Sequence, residues 1–367
     1  MADLPFDLLS EDQLRQLQTF DFSYLTSDFA GIGGFLKEQP EDFVVEEIPL
    51  YQPCGEGEHL YLWIEKRNLS APDLLKHVSQ SVSVSVNDIG SAGLKDKIAI
   101  TRQFLSVPES CELYIDNINN DQVQVLSATR HQNKLKTGHL QGNRFSILVR
   151  EPHPEALERA NLIRERIQEI GFPNYYGEQR FGTEGRTLLF GLKTLIKPPS
   201  RFRSKQVRFE LSAVQSWLFN LALTRRIDDG LLRTVLAGDV MQVCQSGGPF
   251  VAEDVATEQS RLEADETVTS GPLYGPKMKM PTGSVLDREN LILEEAGLTR
   301  EMFRVHRKLC PGSRRAYTIK PEALDFRIEN EGIRFEFVLP AGCYATVLLR
   351  EFMKSESLAG RSLREVD

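Results

Sequence analysis

The chain carries little that would support disulfide, zinc or membrane chemistry. Its five cysteines, Cys54, Cys111, Cys244, Cys310 and Cys343, are scattered, odd in number and never spaced as CxxC. That argues against a disulfide framework and against a zinc ribbon. The six histidines are isolated, and His131 and His139 have no metal-ligand spacing with any cysteine. No apolar run approaches the roughly 18 residues that a membrane span needs. The N-terminus, MADLPFDLLSEDQ, is acidic and lacks the basic start and apolar centre of a signal peptide, so a cytoplasmic location is expected. Gly31-Ile-Gly33 fails the GxGxxG pattern because position 36 is Leu36, and GxxxxGK and HExxH are both missing. Any enzyme here is expected to work with no cofactor and no metal.

What is present is ordinary in bulk and uneven in charge. The 367 residues exceed one ordinary core and suffice for two domains, and 41% hydrophobic with 26% charged residues is globular composition. The net charge of −8 hides a division. Residues 1–60 hold thirteen Asp and Glu against Arg15 and Lys37, whereas residues 177–210 hold eight Lys and Arg against three acids. Phosphate binding needs a positive surface rather than a positive protein, so the overall acidity does not exclude a nucleic acid. On charge alone, a solvated basic face explains the second segment equally well.

A short amphipathic helix is expected around Glu11–Phe20. Strands are expected at Asp42–Ile48, His59–Ile64, Ile98–Val107, Gln122–Thr129 and Arg144–Val149, where β-branched and aromatic residues lie between turn signals. Ser70–Val78 reads as a helix with Ser70 or Pro72 at its start. Pro154–Ile170 reads as a helix with Leu157, Ala160, Ile163, Ile167 and Ile170 on one face and Gly171 at its C-cap. Ser212–Ile227 is a further helix. Residues 253–266 read as a solvent-facing loop or insertion, and Pro272–Gly283 as loop because it holds three Pro and two Gly. Ala323–Ile328, Gly332–Leu339 and Tyr344–Leu349 read as closing strands. The expected architecture is α+β. A discontinuous domain of 1–172 plus 320–367, with a mixed, mainly antiparallel sheet, is interrupted by an inserted α/β domain of 173–319.

The most informative stretch is SAGLKDKIAIT, Ser91–Thr101. It sets Asp96 between Lys95 and Lys97, and nearby positive charge favours an ionised carboxylate that can act as nucleophile or base without a cofactor. Gly93 is expected to let the backbone approach closely. Alone, Asp96 reads first as a turn residue between two strands and only second as a catalytic group. Three other segments bear on it. KEQPEDFVVEE, Lys37–Glu47, sets a lysine before a Pro-bounded turn and an acidic strand. HLQGNRFSILVR, His139–Arg150, puts a Gly142–Asn143 turn signal before Phe145, a residue that the core could also claim. FPNYYGEQRFG, Phe172–Gly182, packs aromatics, Arg180 and two Gly together; rings stack on bases and Arg reaches phosphate.

In this order, with LPAGCYAT at Leu339–Thr346, these segments resemble the tRNA pseudouridine synthases of the TruD type. The likeness spans KxxPEDFxVxE, AGxKDxxAxTxQ, HLxGNxF, PNYxGxQRFG and LPAGxYAT. It implies an isomerase that breaks the N1–C1′ bond of a tRNA uridine, in bacteria at position 13, turns the uracil and joins C5 to the sugar. The family's catalytic aspartate falls on Asp96, with Lys37, Asn143, Phe145 and Tyr344 as substrate-binding neighbours. The resemblance implies that Phe145 and Tyr344 stack on the uracil, that Asn143 bonds its edge or orients Asp96, and that a basic residue partners the aspartate. Lys37, Lys95 and Lys97 all stand as that partner, Lys37 the strongest. The basic run Arg201–Arg208 resembles the family's insertion domain and implies tRNA backbone binding, with Arg180 and Arg186 nearer the cleft. A monomer with no obligatory protein partner is expected. Tyr176 stands where Phe is frequent in the family and Tyr344 where Phe and Tyr both occur, and both keep the ring. The alternative is a catalytically silent RNA-binding or RNA-folding protein on the same scaffold. A glycosidase pairing Asp96 with Glu46 or Glu47 has only composition behind it.

Overall fold

A computed structural model describes residues 21–93, 95–197 and 204–355. The expected helix around Glu11–Phe20, as well as Arg201 and Arg203, lie outside the described residues. The chain forms two compact units. The first holds Ala30–Arg164, Pro321–Ala345 and the described residues from Phe352 on. The second holds the described residues through Phe29, with Glu165–Lys320 and Thr346–Glu351. The sequence reading set the junctions at 172/173 and 319/320.

The first unit begins with β1 (Phe43–Pro49) and β2 (His59–Arg67), followed by α1 (Ala71–Ser81). Next come β3 (Gly90–Ser91), β4 (Ile100–Pro108), β5 (Val123–His131) and β6 (Leu140–Arg150). Strand alternation carries Phe43, Val45 and Glu47 of β1 to the buried face. Just before β1, the buried Asp42 accepts two bonds from Arg150, from Nε at 2.8 Å and Nη2 at 2.7 Å, which ties the start of β1 to the end of β6. Helix α1 starts where Ser70 Oγ accepts from the Asp73 backbone N–H, with Pro72 in its first turn. Its buried face, Ala71, Leu74 and Val78, follows the 3–4 residue helical period. Leu74 and Val78 pack with Leu60, Leu62, Ile64, Leu105, Val107 and Val123 in one apolar cluster. Each such side chain contributes roughly 1.5–3 kcal/mol.

Helix α2 (Ala156–Ile170) ends at Gly171, whose φ of +86° and bond to the Ile167 carbonyl make the expected cap. Its buried face is Ala156, Ala160, Ile163 and Ile167, and Leu157 is exposed instead. The face turns by one residue because Ala156, small enough to read as neutral in the sequence, is its first buried position.

The second unit adds β7 (Phe172–Pro173), α3 (Arg186–Ile196), α4 (Ser204–Asp228), β8 (Val240–Val243) and β9 (Pro249–Val251). There follow α5 (Val255–Glu263), β10 (Thr267–Leu273), α6 (Gly283–Glu295) and α7 (Arg300–Val305). Strands β11 (Ser313–Ala316) and β12 (Thr318–Ile319) complete it. Its four-stranded sheet runs β11-β10-β8-β9, all antiparallel, while β12 pairs with β7. Helix α3 packs on α4 at Gly191, where a Cβ would lie 2.3 Å from the Glu210 carbonyl oxygen. The expected loop over 253–266 is largely α5, capped by Asp254 Oδ1, which accepts from the N–H groups of Ala256 and Thr257. A polar composition hid a helix that buries only Leu262. The Pro/Gly-rich loop is shorter than expected, because β10 runs on through Pro272 to Leu273 and Gly283 opens α6.

The chain then returns to the first unit with β13 (Glu322–Glu329) and β14 (Gly332–Pro340). The eight-stranded sheet runs β13-β14-β6-β1-β4-β2-β5, with β3 on β4. Among the described residues only β1 and β4 pair in parallel, so the α+β class and the mixed, mainly antiparallel sheet hold. Two expectations fail here. Gly142–Asn143 is no turn; it lies inside β6, with Gly142 between Ile48 of β1 and Pro340 of β14. The glycine serves close approach, since a Cβ would lie 2.5 Å from the Leu339 carbonyl oxygen. Tyr344–Leu349 is no strand; α8 (Ala345–Met353) takes its place. A short apolar run carries no period that separates a buried strand from a buried helix.

Gly142→Ala is expected to destabilise the chain by about 1–3 kcal/mol, the usual cost of overpacking, whereas Gly93→Ala is expected to stay within about 0.5 kcal/mol. A Cβ at Gly93 would meet nothing closer than the Leu140 Cδ2 at 3.7 Å. Urea midpoints of the two variants check the contrast.

Candidate active site

Asp96 lies between β3 and β4, with its carboxylate 30% exposed. The three lysines that the sequence offered as partners divide cleanly. Lys37 places Nζ 3.6 Å from Asp96 Oδ1. Lys95 turns away, and its Nζ donates to Glu47 Oε2 at 2.8 Å, both side chains at least 95% buried. Lys97 is exposed and makes no ion pair among the described residues. Glu47 is thereby committed to Lys95 and Glu46 to Arg102, so neither is a free second carboxylate for glycoside hydrolysis.

Lys37 is itself held in an unusual state. Its backbone is left-handed, φ +61°, which costs a non-glycine residue roughly 1–3 kcal/mol and collects at functional positions. Its ammonium sits 4.2 Å from the centroid of the Phe43 ring. Phe43 meets Phe145 edge-on at 6.3 Å, and Phe145 stacks on Phe337 at 5.3 Å with 28° between the planes. The register explains this row: Val45 pairs with Phe145 across β1 and β6, and Phe145 pairs with Phe337 across β6 and β14. Phe145 is only 6% exposed, so it forms a wall more than an open platform.

Asn143 pairs with Glu47 on one side and Leu339 on the other. Its Oδ1 is buried and accepts no hydrogen bond among the described residues. Leaving an amide oxygen unsatisfied costs about 1–3 kcal/mol, so the atom stands out. Tyr344 is half-buried in the turn that follows β14. Arg180 belongs to the second unit, where Ser216 Oγ at 3.2 Å and Ser212 Oγ at 2.7 Å fix its guanidinium. Register sets Asn143 and Phe145 on the same face as Glu47 and Phe43, and through these the contacts reach Lys95, Asp96 and Lys37.

One neighbour escaped the sequence reading. Lys66 is fully buried, and its Nζ donates to the Asp96 backbone carbonyl at 2.6 Å. Burial lowers its pKa to about 8; the Asp96 charge opposes the shift and Lys95 adds to it. A signal existed. Lys66 stands in phase with Leu60, Leu62 and Ile64 on the inward face of β2, where a lysine is out of place. Phe337 and the Glu47–Lys95 pair were equally unread, because each depends on which strands become neighbours.

The comparisons with known proteins agree with this architecture. The family model described as tRNA pseudouridine synthase D (TruD) matches residues 19–201 and 200–352. A tRNA pseudouridine synthase D of Thermus thermophilus is 41% identical over 340 residues, covering 92% of this chain and 93% of its own. One from Anaeromyxobacter dehalogenans is 39% identical over 343 residues, covering 92% and 97%. A putative tRNA pseudouridine synthase D (TruD) from Methanosarcina mazei superposes with a TM-score of 0.73 at 25% identity, covering 94% of this chain and 98% of that one. The class follows: this is an isomerase, a pseudouridine synthase. Within it, the chain belongs to the tRNA pseudouridine synthase D family.

The charge state of Lys66 should show in stability. A lysine whose folded pKa lies near 8, against an ordinary 10.5, holds fewer protons folded than unfolded between those values. Unfolding free energy therefore rises with pH in that window, by up to about 1.4 kcal/mol per pH unit, and the term is flat below it. The stability difference between wild type and Lys66→Met is expected to move in favour of wild type from pH 8 to 10. Urea unfolding at several pH values measures it, and a constant difference would contradict the burial of charge.

Proposed function

We propose that the chain converts uridine to pseudouridine in tRNA, at position 13, with Asp96 as the acting carboxylate. The observation that carries this reading is the Lys37–Asp96 pair, a solvent-reachable carboxylate matched to one lysine in a chain of this family. The reaction balances within the substrate. The N1–C1′ bond breaks, the uracil turns, C5 bonds to C1′, and the C5 proton leaves while N1 gains one. Asp96 serves as nucleophile or as base.

The neighbours divide the remaining work. Lys37 pairs with the Asp96 carboxylate, and Lys66 fixes its backbone by holding the carbonyl. The unsatisfied Asn143 Oδ1 accepts from the uracil edge. The Phe145 wall bounds the base, and Tyr344 supplies a stacking ring, a contact that tolerates in-plane turning. The target nucleotide leaves its stack to reach the carboxylate. Arg180 and the basic residues of the second unit bind tRNA phosphates. The protein acts as a monomer in the cytoplasm and needs no protein partner.

Release of tritium from tRNA labelled at uridine C5 tests the chemistry. Asp96→Asn is expected to abolish release while tRNA affinity stays within a few fold; turnover in this variant would sink the assignment. Pseudouridine mapping of total tRNA with and without the protein checks position 13. Binding of tRNA is also expected to weaken linearly with the logarithm of salt concentration, because each phosphate contact releases counterions.

A further inference from the structure

The second unit holds a cavity of about 500 Å³, of the size that takes a small ligand. Arg180, Lys205, Arg208, Phe209, Ser212 and Gln215 are among its lining residues, and no carboxylate lines it among the described residues. Phe209 is large, apolar and 48% exposed on α4. The guanidinium of Arg180 lies 5.3 Å from its ring centroid, aimed there by the hydroxyls of Ser212 and Ser216. Lys205 and Arg208 make no ion pair among the described residues. An exposed ring beside unneutralised cations has the chemistry of a nucleotide: the ring takes a base and the cations take its phosphate.

We propose that this cavity is a subsite for one unstacked nucleotide of the RNA strand, its base against Phe209 and its phosphate on Lys205 and Arg208. The subsite rests on the reading of the chain as a tRNA-modifying enzyme and deepens it, because it assigns base stacking, and not phosphate attraction alone, to the second unit. Stacking tolerates any base, so the subsite recognises an unpaired nucleotide at a set place in the RNA without reading its identity. A duplex stem, whose bases are stacked on each other, offers nothing to the ring.

The test uses the full chain and an unmodified tRNA transcript, with dissociation constants measured across a salt series. Phe209→Ala is expected to weaken binding about ten-fold with the salt slope unchanged, and Phe209→Trp to restore it. Arg208→Ala is expected to reduce the magnitude of the slope by about 0.7, the value of one single-strand phosphate. Phe209→Ala binding as wild type, or Phe209→Leu matching Phe209→Trp, would overturn the subsite, since neither fits a stacked base. So would uridine or adenosine monophosphate binding wild type in a Phe209-dependent way while tRNA affinity ignores Phe209; the cavity would then belong to a free nucleotide. Wild type that neither binds tRNA nor releases C5 tritium defeats the enzyme reading itself. Wild type that does both, with Phe209 indifferent, defeats the subsite alone.

Discussion

The buried pairing of Lys95 with Glu47 is the constraint on which the candidate site depends. Glu47 reaches the inner face because it is the third inward position of β1. Lys95 reaches it from the loop and so draws the adjacent residue, Asp96, against the sheet. Breaking such a pair by removing one partner costs about 3–5 kcal/mol, since the other charge is left buried. The pair thus fixes the loop by the penalty for its loss, whatever its net gain. With Lys95 occupied, Asp96 is left to Lys37 on one side and, through its carbonyl, to Lys66 on another. Three lysines hold one short segment by three different atoms.

The same economy explains the aromatic row. Phe43, Phe145 and Phe337 come from three strands far apart in sequence and meet because β1, β6 and β14 are neighbours in the sheet. Lys37 caps the row at its Phe43 end, so the cation that faces Asp96 is also seated on the apolar wall. Charge and ring therefore move together if either strand shifts.

Much of this was legible in the sequence, and the reasons are local. Strands with β-branched alternation, the Ser70 cap and the Gly171 terminus announce themselves within a few residues. Asp96, Lys37, Asn143 and Phe145 were named by motif, and the fold sets Lys37 beside Asp96. What stayed hidden depends on strand neighbours. Gly142 looks like a turn until two flanking strands are seen to crowd it. Whether Phe145 belongs to the core is undecided until Phe337 is seen to stack on it. Tyr344–Leu349 looks like a strand because apolar composition says buried and nothing more. The choice among Lys37, Lys95 and Lys97 is likewise a matter of which acid each can reach.

The pairing of β14 with β6 sets a condition on timing. Gly332–Pro340 flanks the strand carrying Asn143 and Phe145, yet it is made about 190 residues later. On a translating ribosome, β6 is an open edge of the first unit while Glu165–Lys320 of the second unit is being synthesised. Until residues past 340 have emerged, that edge lacks Phe337 and the Leu339 backbone. The candidate site is therefore incomplete in a nascent chain until β14 has been made.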